Sequence, residues 1–245
     1  MEGKRRRKAM RIYGTAALLM LAAVLLGVRE AGTVQAAQAA AEEKVVYLTF
    51  DDGPSCRTEE LLAVLEEKGV QATFFVTAEQ EEYLPWIGRI AAAGHAVGAH
   101  CYRHDTNRLY GSFDAFREDL EKICALIEEQ TGQSPVLYRF PGGSRSTLLP
   151  GWLRAKALPL LEQRGMVYFD WNAVSGDDTP TVYSAQTLVQ NILRDAGGEP
   201  VIVPLFHDFS VAKTTPEAAG LLIDTLREQG YRFDILTGEV QMQFP

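Results

Sequence analysis

Seven short apolar runs alternate with helical patterns along most of this chain, and that alternation restricts the available folds more than any other feature. Val45 to Phe50, Ala72 to Val76, Ala96 to Ala99, Leu137 to Phe140, Met166 to Trp171, Val201 to Phe206 and Tyr231 to Leu236 read as strands. Helices fill the intervals. The clearest spans Ser112 to Thr131, where Phe113, Phe116, Leu120, Ile123 and Ile127 recur every three or four residues and Glu118, Glu121 and Glu128 take the other face. Such alternation predicts a parallel sheet with helices outside it, either an open doubly wound sheet or a barrel.

The polar residues choose between the two. Asp51 and Asp52 follow the first run, His100 follows the third, Arg139 lies in the fourth and His207 follows the sixth. Barrel enzymes gather site residues from the C-terminal ends of many strands, whereas an open sheet concentrates its site at one switch point. The distribution predicts an α/β fold, a distorted and incomplete (β/α) barrel of about seven parallel strands.

The N-terminus points to export. Lys4, Arg5, Arg6, Arg7, Lys8 and Arg11 precede an uncharged apolar run of 15 residues, Gly14 to Val28. That is a positive n-region and an h-region, short of the roughly 20 residues of a membrane span. Residues 1–40 are therefore expected to be a signal peptide, with the small-residue run Ala37 to Ala39 as cleavage site. The alternative is an uncleaved anchor through 14–28 with a short linker. One domain is expected over 41–245, since no low-complexity linker or internal repeat interrupts it.

Of 24 basic and 32 acidic residues, seven basic and two acidic ones lie in 1–40, which leaves 17 against 30 and a formal charge of −13 for the remainder. That balance argues against a nucleic-acid partner. Three cysteines, Cys56, Cys101 and Cys124, cannot form a disulfide framework, and the fold is expected not to depend on one.

His100 and His104 are four apart, a spacing that on a helical turn puts both imidazoles on one side. Three of the four histidines fall at the strand-end site; His95, just before a strand, is expected to be structural. Strand alternation should send the Asp51 and Asp52 side chains apart, so that one can bind a metal while the other faces substrate. Nitrogen and oxygen ligands with one open position are what a catalytic divalent metal requires.

Taken together these residues resemble the polysaccharide deacetylase family, carbohydrate esterases with the NodB homology domain (carbohydrate esterase family 4). TFDDGP at 49–54, HCYRH at 100–104, RFPGGS at 139–144, DWNAVSGDD at 170–178 and LFHDF at 205–209 resemble its five motifs in order, and the resemblance covers about residues 44–240. It implies Asp51 as general base, Asp52, His100 and His104 as metal ligands, and His207 as general acid. Arg139 would steady Asp51, depressing its pKa, and Asp177 would orient His207. A backbone N–H at Gly142 is expected to meet the oxyanion, and Leu205 to line the acetyl pocket. The implied activity is hydrolysis of N-acetyl groups on an N-acetylglucosamine-containing polysaccharide, peptidoglycan or a chitin-like glycan. The implied cofactor is zinc, with Co2+, Ni2+ or Mn2+ as alternatives. O-deacetylation of xylan and a catalytically inactive glycan-binding module are the competing readings, and a monomer is the simplest assembly.

Several positions depart from that pattern. Cys101 stands where Ser or Thr is usual, and Asp178 where an aromatic residue often walls the acetyl pocket. Trp171 is expected in the core, and Asp208 to be a local hydrogen-bonding residue. Pro204 calls for a bulge or edge in the sixth run.

Overall fold

The computed structural model describes residues 43–240, and the predicted leader falls outside them. From Lys44 onward the described residues form one compact unit. Its strands are β1 (Val45–Tyr47), β2 (Thr49–Asp51), β3 (Thr73–Val76), β4 (Ala96–Ala99), β5 (Leu137–Tyr138), β6 (Val167–Tyr168), β7 (Ala173–Val174), β8 (Val201–Ile202), β9 (Pro204–His207) and β10 (Arg232–Asp234). The helices are α1 (Thr58–Lys68), α2 (Trp86–Ala92), α3 (Thr106–Leu109), α4 (Phe113–Thr131), α5 (Gly151–Gln163), α6 (Ala185–Ala196) and α7 (Thr215–Glu228).

Seven strands pair in the order β6-β5-β4-β3-β2-β9-β7, and β10-β1-β8 form a second ladder from the N-terminal halves of two of the same runs. Every pairing is parallel. The sheet curls strongly. Three strand spacings separate β5 from β2, roughly 14 Å on a flat sheet, yet Arg139 at the end of β5 reaches Asp51 at 2.9 Å. The expected incomplete barrel is therefore the observed architecture.

Alternation along the strands makes two cores. Val46, Leu48, Phe50, Phe74, Val76 and Phe206 face outward under the helices. Phe50 stacks between Phe74 and Phe206, with ring centroids 5.0 and 5.8 Å away. Burying each such ring contributes about 1.5–3 kcal/mol. The alternate residues Val45, Tyr47, Phe75, Leu137, Phe169 and Val203 meet inside the curl.

Helix α4 forms as its periodicity predicts, burying Phe116, Leu120, Ile123 and Ile127, with the Ser112 side chain capping its start and Gly132 its end. The fourth and fifth runs form shorter strands than expected, and β7 is an addition. Pro204 opens β9 after the ladder breaks at Val203, and the Val203 N–H goes to Asn172 Oδ1 at 2.8 Å. Among the described residues all three cysteines are free, and no helix is long and apolar enough to cross a membrane.

Candidate active site

The loops after β2, β4, β5, β7 and β9 bring the strand-end residues together. Asp51 is the last residue of β2 and is 3% exposed, facing the inside of the curl. Its Oδ1 accepts from Arg139 Nη1 at 2.9 Å. The Arg139 guanidinium is fully buried and spends its other donors on Thr49 Oγ1, Phe169 O and Asp170 O at 2.7–3.0 Å. It lies over the Phe75 ring, 4.2 Å from the centroid. Burial pushes the Asp51 carboxyl above its ordinary range, and the charges of Arg139, His207 and His104 oppose this without reversing it. The depression expected from Arg139 alone is thus overturned, because desolvation of a carboxylate this deep outweighs one guanidinium contact.

Asp52 points elsewhere, as expected, but strand alternation is not the whole cause. Its φ of 71° makes it the one non-glycine residue with a left-handed backbone among the described residues. That turn aims its carboxylate at the two histidines. Asp52 Oδ1 lies 3.4 Å from His100 Nε2 and 3.6 Å from His104 Nε2. It is buried and accepts no hydrogen bond. His100 Nδ1 lies 2.8 Å from the Arg139 carbonyl, which can only accept, so Nδ1 carries the proton and Nε2 keeps its lone pair. Burial pulls the His100 pKa to about 3, against the charge of Asp52, and so the ring is neutral. An orphaned carboxylate oxygen beside imidazole nitrogens suits a divalent cation, and these three residues fit one.

The expectation of a helical turn between His100 and His104 does not hold. Residues 101–104 form a bend outside any helix, with the two ring centroids 5.4 Å apart. A carboxylate from α4 shapes it: Asp119 accepts the N–H groups of Tyr102 and Arg103 at 2.8 and 3.2 Å. Glu79 Oε1 accepts the His104 N–H at 2.6 Å. Cys101 turns away, fully buried in the outer core. Asp119 and Glu79 escaped the sequence reading because acidic residues in a helix and a loop look like solvated surface until the fold delivers backbone donors to them.

On the other side of Asp51, His207 ends β9. Its Nδ1 lies 2.7 Å from Asp177 Oδ1, and its N–H donates to Oδ2 at 2.9 Å. Ser175 and Thr215 complete the Asp177 carboxylate with hydroxyl donors at 2.8 and 2.7 Å. Burial works against a charged imidazole, but the hydrogen bond and charge of Asp177, with those of Asp52 and Asp51, push the His207 pKa up to about 9. Asp178 also comes within ligand range of this pair, but it is exposed, and His207 Nδ1 is engaged by Asp177.

The PGG turn follows Arg139. Gly142 and Gly143 have φ of 77° and 89°, and Gly142 is exposed with no partner for its N–H among the described residues. Asp170 fixes the turn by accepting from Ser144 N and Oγ at 2.8 and 2.6 Å. Trp171 is only partly buried, its ring against Gly143 and near Arg139. It packs against the inner core, as expected, and also borders the PGG turn. Leu205 is buried on β9 on the His207 face. His95 is structural, its Nδ1 accepting the Ala72 N–H at 3.1 Å.

The sequence profile of the polysaccharide deacetylase family matches residues 38–162, about half of the chain. The chain belongs to the polysaccharide deacetylase family. A peptidoglycan N-acetylglucosamine deacetylase of Bacillus cereus is 35% identical over 198 residues, 79% of this chain and 69% of that protein. The solved catalytic domain of a peptidoglycan N-acetylglucosamine deacetylase from Eubacterium rectale superposes with a TM-score of 0.77 at 36% identity, over 84% of this chain and 96% of that one. A family 4 acetyl xylan esterase from Clostridium thermocellum, solved with a cobalt ion, is more distant at 26% identity and a TM-score of 0.64, over 78% and 88%.

Proposed function

We propose that this chain is an exported, metal-dependent hydrolase that removes N-acetyl groups from N-acetylglucosamine residues of peptidoglycan. The observation that carries this reading is the triple of partnered groups at the C-terminal ends of the strands: Asp51 on Arg139, His207 on Asp177, and Asp52 turned to His100 and His104. The named activities of the two relatives in the peptidoglycan class supply the substrate.

Asp52, His100 and His104 would hold the metal, with zinc as the ion proposed and Co2+, Ni2+ or Mn2+ compatible with the same ligands. When bound, it supplies Lewis-acid polarisation of the acetyl carbonyl and acidifies water. Asp51 takes the proton of the attacking water, and its raised pKa makes it a stronger base than an exposed carboxylate. Arg139 holds that carboxylate in place. The free Gly142 N–H meets the developing oxyanion. His207, charged and oriented by Asp177, gives its proton to the departing amine. Leu205 walls the acetyl methyl group, while exposed Asp178 leaves that rim polar.

Residues 1–40 act in this reading as signal peptide or anchor, and 41–245 as the deacetylase domain, working as a monomer. Acetate release by the purified 41–245 fragment from peptidoglycan, chitooligosaccharide and acetylated xylan tests it. Fastest release from peptidoglycan is expected. Preference for the xylan ester would replace amide with ester hydrolysis, and binding of peptidoglycan without release would leave a glycan-binding module.

A further inference from the structure

Asp208 is fully buried and has no part in the chemistry above. Its carboxylate is held by two hydroxyls: Ser55 Oγ donates to Oδ1 and Thr58 Oγ1 to Oδ2, each at 2.7 Å. No cation bonds it. A buried carboxylate with only neutral donors costs stability, so its retention calls for a compensating role. Its position supplies one. Asp208 follows His207, its N–H donates to the Asp51 carbonyl at 2.7 Å, and of the two hydroxyls one lies in the loop that leaves Asp52 and the other on Thr58, where that loop enters α1.

That loop needs restraint. The left-handed backbone of Asp52 is unfavourable for a residue with a Cβ. From the β3 side Thr77 holds it, with Oγ1 donating to Asp52 O at 3.0 Å and N–H to Gly53 O at 2.7 Å. From the β9 side the carboxylate of Asp208 lies against Gly53 so closely that a Cβ there would overlap Oδ2. Ser55 and Thr58 are themselves locked, since Ser55 Oγ accepts from Arg57 N at 3.0 Å and Thr58 Oγ1 from Ser55 N at 2.8 Å. Each hydroxyl therefore has its proton committed to Asp208.

We propose that Asp208 is a positioning residue for the metal site: it clamps the 53–58 loop and thereby keeps Asp52 aimed at His100 and His104. This rests on the reading of those three residues as metal ligands. A carboxylate suits the site because each buried hydroxyl has one proton to give and each proton finds its own carboxylate oxygen; an amide at 208 has one acceptor atom and would leave one of those protons without a partner. The clamp also ties the loop that follows Asp52 to the strand carrying the acid, while His207 itself is held by the β2–β9 ladder and by its own partner, Asp177.

The test is zinc affinity, by competition with a chromophoric chelator, on the full chain with Asp208→Asn and, as a milder change, Ser55→Ala. Urea unfolding of the zinc-free proteins runs in parallel. The expected result is a zinc Kd raised about 10–100-fold in Asp208→Asn and less in Ser55→Ala, with Thr58→Ser at the wild-type value and Thr58→Val weakened. Zinc affinity unchanged in Asp208→Asn and Ser55→Ala, with stability alone reduced, would show that the carboxylate only braces the start of α1 and would overturn the clamp. Wild-type protein that binds zinc no more tightly than His104→Ala would overturn the metal-site reading itself, and the clamp with it.

Discussion

Asp51 and His207 are paired residues on neighbouring parallel strands, β2 and β9, with their side chains on the same inner face. Each has its own charged partner, Arg139 for one and Asp177 for the other. Base and acid candidates are thus fixed by the register of one ladder, independently of the loop that carries Asp52.

Separating the two carboxylates by mutation should separate their roles. Asp51→Asn keeps an acceptor for Arg139, so the protein should fold and bind one zinc per chain. Acetate release should fall by about 10²–10⁴-fold. Near-normal turnover with metal bound would remove Asp51 from the mechanism.

His104 is the more exposed of the two histidines facing Asp52, with over a third of its side chain open to solvent. His104→Ala should therefore change unfolding free energy by no more than about 0.5 kcal/mol while metal is lost, as read by elemental analysis after gel filtration. A variant that retains wild-type zinc content would exclude it as a ligand.

The His207–Asp177 pair has a pH signature. The folded imidazole has a pKa of about 9, above the ordinary value of 6.5. The charged ring is therefore favoured by folding: its stabilisation is fully present below pH 6.5 and is lost as pH rises through about 9. The magnitude is roughly 3 kcal/mol. Urea unfolding of chelator-treated protein at pH 6.5 and 9.5 should show that loss in the wild type and not in His207→Gln. Acetate release should decline over the same alkaline range as the proton donor is lost.

The bend between the histidines makes another prediction. Since Asp119 takes the N–H groups of Tyr102 and Arg103, Asp119→Ala should weaken zinc binding about tenfold or more. Cys101→Ser should not strengthen it, because that side chain is buried in the outer core and the bend is held by Asp119 and Glu79. Tighter zinc binding by Cys101→Ser would show that residue 101 holds the turn.

The barrel and its strand-end residues were legible because buried parallel strands read as uninterrupted apolar runs, four of them with a polar residue at the end that is out of keeping with the run. Helix α4 was legible through its amphipathic spacing. Where reading fell short, the deciding partner lay far along the chain. Asp170 lies beyond the end of β6, and its side chain binds the distant Ser144. β7 is two residues long, and its neighbour Asn172 bonds to the distant Val203 through its side chain. The upward shift at Asp51 depends on burial, which no local pattern reports. Asp119, Thr77, Ser175 and Thr215 are ordinary polar residues until the fold places an acceptor or donor opposite them.

Arg139 has a consequence beyond steadying one carboxylate. Its guanidinium joins Thr49 and Asp51 to the main chain at Phe169 and Asp170, wholly inside the curl. Lysine could not reproduce that fork of donors. A descendant of this chain that abandoned catalysis could discard His104 at the rim with little damage to its architecture, but replacing the arginine would mean redesigning the interior. In a diverging lineage Arg139 should therefore outlast the activity, a fossil of the chemistry kept for its masonry.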